Sequence, residues 1–338
     1  MTAKFQHLLV FLLLLLIPAW AQGPKSTTAP VKADWKDADA TMGRPGQDQP
    51  DGTHKYALPR KDLNVTLNGV QIKAGLALGS WVAFNPTAHG NAMVMGDLVL
   101  TEDEVAPVMA ELQSGGIEIT ALHNHLIGES PRVMYMHIQG MGNAASLGKA
   151  ISMAIAKTKT PAASPAAAPP DLDIDTKQID QILGHNGKNN GGIYQIGVPR
   201  AEHITEAGMV IPNSMGVATA LNFQPTGGGK AAITGDFVLL AKEVNPVIKA
   251  LRENGITVTA LHSHMLEEQP RLFFMHFWAN DDALKLAKGL RAALDHTNSA
   301  KRNSSSCGTD NLRTDIACNA PCIVSTRKLH AGKTDKGV

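Results

Sequence analysis

Apolar positions along the chain fall into two kinds of run. Gly75–Asn85 and Asn91–Leu100, and further on Gly216–Gln224 and Lys230–Leu239, are dense in apolar residues and read as pairs of extended segments. After each pair the period changes. Val105, Val108, Met109 and Leu112 fall at i, i+3, i+4 and i+7, as do Val244, Val247, Ile248 and Leu251, which is the spacing of one helix face. Thr101 with Glu104 predicts a capping box, Pro107 is expected in the first turn, and Gly116 and Gly255 predict the helix ends. Strands are then predicted at Ile117–Leu126 and Ile256–Leu266, a turn at Pro131 or Pro270, and second strands at Val133–Gln139 and Leu272–Trp278. A last amphipathic helix carries Leu147, Ala150, Ile151, Ala154 and Ile155; its counterpart carries Ala283, Leu286, Ala287 and Leu290. The order ββαββα implies an α+β fold, an antiparallel sheet with helices on one face, with a ferredoxin-like topology favoured.

These elements occur twice because the sequence does. Gly96-Asp97-Leu98-Val99-Leu100 recurs as Gly235-Asp236-Phe237-Val238-Leu239, and Thr120-Ala121-Leu122-His123-Asn124-His125 as Thr259-Ala260-Leu261-His262-Ser263-His264. The offset is 139 residues, too long for a solenoid unit, so two homologous domains are expected. The organisation reads as a signal peptide at 1–21, a lead-in at 22–34, repeat domains at 35–157 and 171–298, an Ala/Pro linker at 158–170, and a disordered tail at 299–338. Lys4, the apolar Leu8–Leu16 and Ala19-Trp20-Ala21 carry the export reading, to a bacterial periplasm or the exterior. No later segment is apolar enough to insert stably in a membrane.

Composition narrows the chemistry. A net charge of +1 supplies no field for nucleic acid, and 4% aromatic residues leave few rings for stacking on sugars or bases. The 13 His contrast with 3 Cys, and Cys307, Cys318 and Cys322 all fall in the tail, so neither a Cys-rich zinc module nor a disulfide scaffold fits the body. Export permits one disulfide among the three, with the pairing open.

Six histidines fall at matching places. Each copy holds His-x-His, then Glu, then a third His: His123, His125, Glu129 and His137, and His262, His264, Glu268 and His276. Residues i and i+2 of a strand share a face, and the third His lies on the next strand of a hairpin. If His123 stands opposite His137 and His125 opposite Tyr135, three imidazoles converge, with the Glu able to fold over them. Such a set suits Zn, Mn, Cu, Ni or Fe. In that reading His123, His125 and His137 hold one ion and His262, His264 and His276 a second, with Glu129 and Glu268 as fourth ligands or general bases. Structural histidines in a hydrogen-bonded ladder are the other reading. Strand parity conflicts with the first, because Ile117, Ile119 and Ala121 share the proposed His face, so the strand is buried on both faces or carries a bulge. Arg132 and Arg271 either clamp an anionic substrate or pair with Glu129 and Glu268, and Asp97 and Asp236 read as turn or bulge devices in preference to ligands.

On the Gly-Asp-Leu-Val-Leu, Thr-Ala-Leu-His-Asn-His and Pro-Arg-x-x-x-Met-His motifs, about residues 40–157 and 180–297, the chain resembles the LppY/LpqO family of exported bacterial proteins. The resemblance implies a secreted or lipoprotein character and a duplicated domain of unknown function, and supplies no catalytic residue. No Cys follows the expected cleavage site, a departure from the lipoprotein members. The expected function is a metal-binding two-domain protein, extending to a metal-dependent hydrolase or other metalloenzyme acting on an unidentified small molecule or polymer. A non-catalytic metal- or ligand-binding envelope protein is the alternative. Oligomeric state is left open.

Overall fold

The computed structural model describes residues 33–87, 91–164 and 168–300. The expected signal peptide and the cysteine-bearing tail lie outside the described residues. Repeat one runs α1 (Lys36–Met42), β1 (Gln47–Asp48), β2 (His54–Pro59), β3 (Thr66–Leu67), β4 (Val70–Gln71), α2 (Ala74–Ala77), β5 (Gly79–Pro86), β6 (Asn91–Thr101), α3 (Glu102–Ser114), β7 (Glu118–His123), β8 (Val133–Asn143) and α4 (Ala144–Ile155). Repeat two runs α5 (Thr176–Leu183), β9 (Lys188–Asn190), β10 (Ile193–Pro199), β11 (Thr205–Glu206), β12 (Met209–Val210), a 3-10 turn at Asn213–Met215, β13 (Ala218–Gly227), β14 (Lys230–Leu239), α6 (Ala241–Glu253), β15 (Thr257–His262), β16 (Phe273–Asp282) and α7 (Ala283–Leu294).

Each repeat builds one antiparallel six-stranded sheet, in the orders β1-β2-β5-β6-β8-β7 and β9-β10-β13-β14-β16-β15. Strand β8 sits between β6 and β7, whose connection is α3, so the core is a split β-α-β unit of ferredoxin-like kind. Strands β1 and β2 widen the sheet beyond the four predicted, and α1 and α5 add a helix ahead of each repeat.

Alternate residues of the central strands explain the layering. In β6, Val94, Leu98 and Leu100 face α3 and α4 with Leu112, Leu147 and Ile151, whereas Met93, Met95 and Val99 face the other repeat. In β14, Ile233, Phe237 and Leu239 face α6 and α7, whereas Ala232 and Val238 face repeat one. The two sheets therefore stack face to face with helices outside, an α-β-β-α sandwich. Both faces of the central strands are buried, which is why their sequences are continuously apolar rather than alternating. Gly96 and Gly235 make room for the neighbouring strand of their own sheet: a Cβ on Gly96 would lie 2.8 Å from the carbonyl oxygen of Trp81, and one on Gly235 would overlap that of Ala220.

The helix ends follow the expected chemistry, with one difference. Gly116 and Gly255 take positive φ just past α3 and α6, as αL terminators. Thr101 N–H donates to Glu104 Oε2 at 2.9 Å, a bond of the capping box. Pro107 is the sixth helical residue, not a first-turn one, because the helix begins at Glu102; Pro246 sits likewise in α6.

Glu104 has a second task. The fully buried Arg60 donates to Glu104 Oε2 at 2.7 Å, to the Val99 carbonyl at 2.7 Å and to Asp62 Oδ2 at 2.8 Å. Arg200 repeats the arrangement with Glu243, the Val238 carbonyl and Glu202. Arg60→Leu leaves Glu104 buried without its cation, so a loss of about 3–5 kcal/mol in unfolding free energy is expected in urea titrations. A loss comparable to that of an exposed pair would show that the network contributes little.

Candidate metal centre

The six histidines lie on the facing sides of the two sheets. Their position depends on a bulge in each edge strand. In β7, Ile119 pairs with Ile138 and Ala121 with His137, which leaves Thr120 as the extra residue; in β15, Val258 pairs with Phe277 and Ala260 with His276, leaving Thr259. The bulge switches parity. Ile119 packs toward the helices, and Ala121 and His123 turn to the inner face. It resolves the parity conflict in favour of a bulge. It also corrects the expected register: His123 stands opposite Tyr135, not His137, and β7 ends there, so His125 lies beyond the strand. His262 likewise stands opposite Phe274.

Each bulged threonine ties the repeats together reciprocally. Thr120 Oγ1 donates to the His264 carbonyl at 2.6 Å, and Thr259 Oγ1 donates to the His125 carbonyl at 2.5 Å. The histidines consequently form one cluster rather than two separate triads. His123 stacks on His262 with centroids 3.5 Å apart, His125 on His276 at 3.7 Å, and His137 on His264 at 3.6 Å. Tyr135 and Phe274 close the stack over His125 and His264 at 3.3 and 3.5 Å. His137, His264 and His276 are buried, while His123, His125 and His262 are partly exposed.

Asp97 and Asp236 depart from the preferred turn or bulge reading. They form no turn or bulge. Each sits mid-strand on the inner face, with Asp97 paired in register with His137 and Asp236 with His276. Asp97 carboxylate oxygens lie 3.8 Å from His125 Nε2 and 3.9 Å from His137 Nε2; Asp236 oxygens lie 3.4 Å from His264 Nε2 and 4.0 Å from His276 Nδ1. The available signal was an acidic residue inside an otherwise apolar run, present in both copies.

Burial sets the charge state. Desolvation pushes the Asp97 carboxyl up to about 8 and raises Asp236 well above the carboxylate range. Desolvation lowers His123 to about 4 and His276 to about 3. His125, His137, His262 and His264 are also lowered, by burial first and then by the neighbouring imidazoles. The rings are thus neutral, the form that binds a metal.

Among the described residues, four groups have ligand atoms all within 4.8 Å of one another: His123, His137, His262 and His264; His123, His125 and His276; Asp97, His125 and His137; and Asp236, His264 and His276. Glu129 and Glu268 join none of them. Glu268 is fully buried, accepts the Leu272 N–H at 2.9 Å and pairs with Arg271 at 3.1 Å. Arg132 instead lies 3.8 Å from Glu102 on the exposed surface. The cavity that touches the cluster, lined by Trp81, Met95, His137, Met215, His264 and Met265 among others, has a volume of about 10 Å³, the room of a single water.

Residues 36–157 and 177–296 match the model of a family described as Domain of Unknown Function (DUF1259). No curated protein matches the chain. Among solved structures, the chain is similar to the trimeric bacterial microcompartment shell protein PduB at 10% identity, with 75% of this chain and 95% of that one covered and a TM-score of 0.20. It is similar to the ethanolamine utilization protein EutL from Leptotrichia buccalis C-1013-b at 7% identity, covering 75% and 95%, with a TM-score of 0.18. EtuB from Clostridium kluyveri matches at 9% identity, covering 74% and 90%, with a TM-score of 0.17. Among the described residues, no helix is long and apolar enough to cross a membrane.

Proposed function

The chain belongs to the DUF1259 family in two tandem copies, and from that premise we propose that the copies jointly bind a divalent transition metal between their sheets, in an exported bacterial protein of LppY/LpqO type. One observation carries the reading. His123 Nε2, His125 Nε2, His137 Nε2, His262 Nδ1, His276 Nε2, Asp97 Oδ1 and Asp236 Oδ1 are buried with no hydrogen-bond partner. Each such atom costs about 1–3 kcal/mol where nothing compensates it, and buried polar groups in native folds are ordinarily paired. Here they converge in overlapping groups of three or four residues, each small enough for one cation to satisfy. Nitrogen-rich ligation suits Zn, Cu, Ni or Fe better than Mg or Ca, with Mn tolerated through the carboxylates.

Metal binding is favoured over hydrolysis. The cavity beside the cluster has no room for a substrate, and the two Glu expected as general bases lie outside the ligand groups. A second reading, a histidine ladder that braces the sheets, has its own support in the 2.9 Å hydrogen bond between His262 Nε2 and His264 Nε2.

Metal analysis of the purified mature protein by inductively coupled plasma spectrometry separates the two. At least about one equivalent per chain is expected, falling several-fold in His137→Ala and His276→Ala. Content below about a tenth of an equivalent, unchanged after Zn, Mn or Cu is added, would leave the bracing ladder as the function of the histidines.

A further inference from the structure

Resting on the metal reading above, we propose that the centre takes two divalent ions per chain, one in each of two 2-His-1-carboxylate sets: Asp97, His125 and His137, and Asp236, His264 and His276. The carboxylate ligands are then the mid-strand aspartates, not the loop glutamates that the sequence spacing suggested.

Three observations converge on this. The first is equivalence: the sets map onto each other residue for residue at the 139-residue offset, on corresponding strands and loops. A single ion in the four-His group of His123, His137, His262 and His264 uses the two copies unequally. Two ions use them alike.

The second is spacing. Ligand atoms bound to one ion at about 2.0–2.2 Å stand about 3–3.5 Å apart, beyond most hydrogen bonds. Three Asp–His Nε2 separations, 3.4 to 3.9 Å, start at that spacing and exceed it by a few tenths of an ångström, and none of them is a hydrogen bond; the fourth, 4.0 Å, is from Asp236 to His276 Nδ1. The third is the orphaned state of the acceptors. Asp97 Oδ1 and Asp236 Oδ1 are buried and unpartnered, facing the imidazoles. His276 is further held by Nδ1 donating to the Gly235 carbonyl at 2.7 Å, which leaves Nε2, buried and without a hydrogen-bond partner, as its free nitrogen.

His123 and His262 belong to neither set. They stack on each other at 3.5 Å and are partly exposed. Two nitrogens and a carboxylate with an open position suit Fe(II), Zn or Mn, whereas Cu(I) prefers thiolate and thioether ligands.

The test is stoichiometry. The chelator-treated mature protein is titrated with Zn(II) or Co(II) in a calorimeter, and the content of the dialysed product is measured. About two ions per wild-type chain are expected, and about one in Asp97→Asn and in Asp236→Asn, changes that keep the side-chain shape. One ion in the wild type overturns the paired sites and leaves the metal centre standing; no ion overturns the metal centre itself. Two ions retained in the Asn variants, or both lost from either, also overturn the assignment. Circular dichroism of the metal-free variants verifies their folding, and the wild-type stoichiometry decides independently of them.

Discussion

Freed of metal, the protein is expected to lose stability steeply as the pH falls from about 6.5 toward about 4. The sign follows from the buried imidazoles. All six are pushed below the ordinary histidine value. Above pH 6.5 neither the folded nor the unfolded chain protonates them, and their contribution to stability is fully present. Below it the unfolded chain binds protons that the folded chain cannot take up, and stability falls until the folded-state values are reached. Asp97 and Asp236 act oppositely. Their folded pKa values are raised, so their contribution is present below the unfolded value of 3.8 and is lost as pH rises, for Asp97 through about 8. Six imidazoles against two carboxyls leave a net uptake of about four protons on unfolding, or roughly 5 kcal/mol per pH unit at most. Against a total stability of roughly 5–15 kcal/mol, one or two units decide whether the chain is folded. Urea unfolding at pH 7, 6 and 5 in the presence of a chelator measures this. Stability that stays flat across that range would mean that the imidazoles are solvated and not buried neutral.

How much of this was legible in the sequence depends on which signal each residue carries. The duplication made the six histidines stand out, because matching positions in two diverged copies need no structural knowledge to find. The helices were equally clear, since α3 and α6 show a complete apolar stripe and αL glycines at their ends. The register of the His strand was not. A single inserted residue, Thr120 or Thr259, reverses the parity of every side chain after it, and nothing in the local composition marks which residue is the extra one. Asp97 was misread because Gly-Asp resembles a turn. Here the glycine makes room for a neighbouring strand, and the aspartate faces a second sheet that the reading of a single repeat did not supply. The stacking of His123 on His262 was invisible for the same reason: it arises only when the two repeats pack face to face.

That packing gives metal binding its largest expected consequence. An ion held only by the folded state stabilises it by about 4 kcal/mol at a free concentration 1,000-fold above its dissociation constant. For a body of this size the melting temperature is expected to rise by roughly 8–16 °C when Zn(II) or Co(II) is added to the chelator-treated protein. The gain applies to both repeats together. Each ligand set stacks on the other through His137 with His264 and His125 with His276, and the threonine bonds cross between the sheets. Unfolding of either repeat exposes the ligands of both, so calorimetry should show one transition that moves as a unit. An ion bound at a peripheral loop would shift only a local opening and leave the main transition in place. Mg(II) serves as the control, since its preference for oxygen ligands predicts no shift at an imidazole-rich centre. The double variant Asp97→Asn/Asp236→Asn should retain the metal-free melting temperature and lose most of the rise. An unchanged midpoint in the wild type, or a rise of equal size in the double variant, would place the stabilising ion somewhere other than between the two sheets.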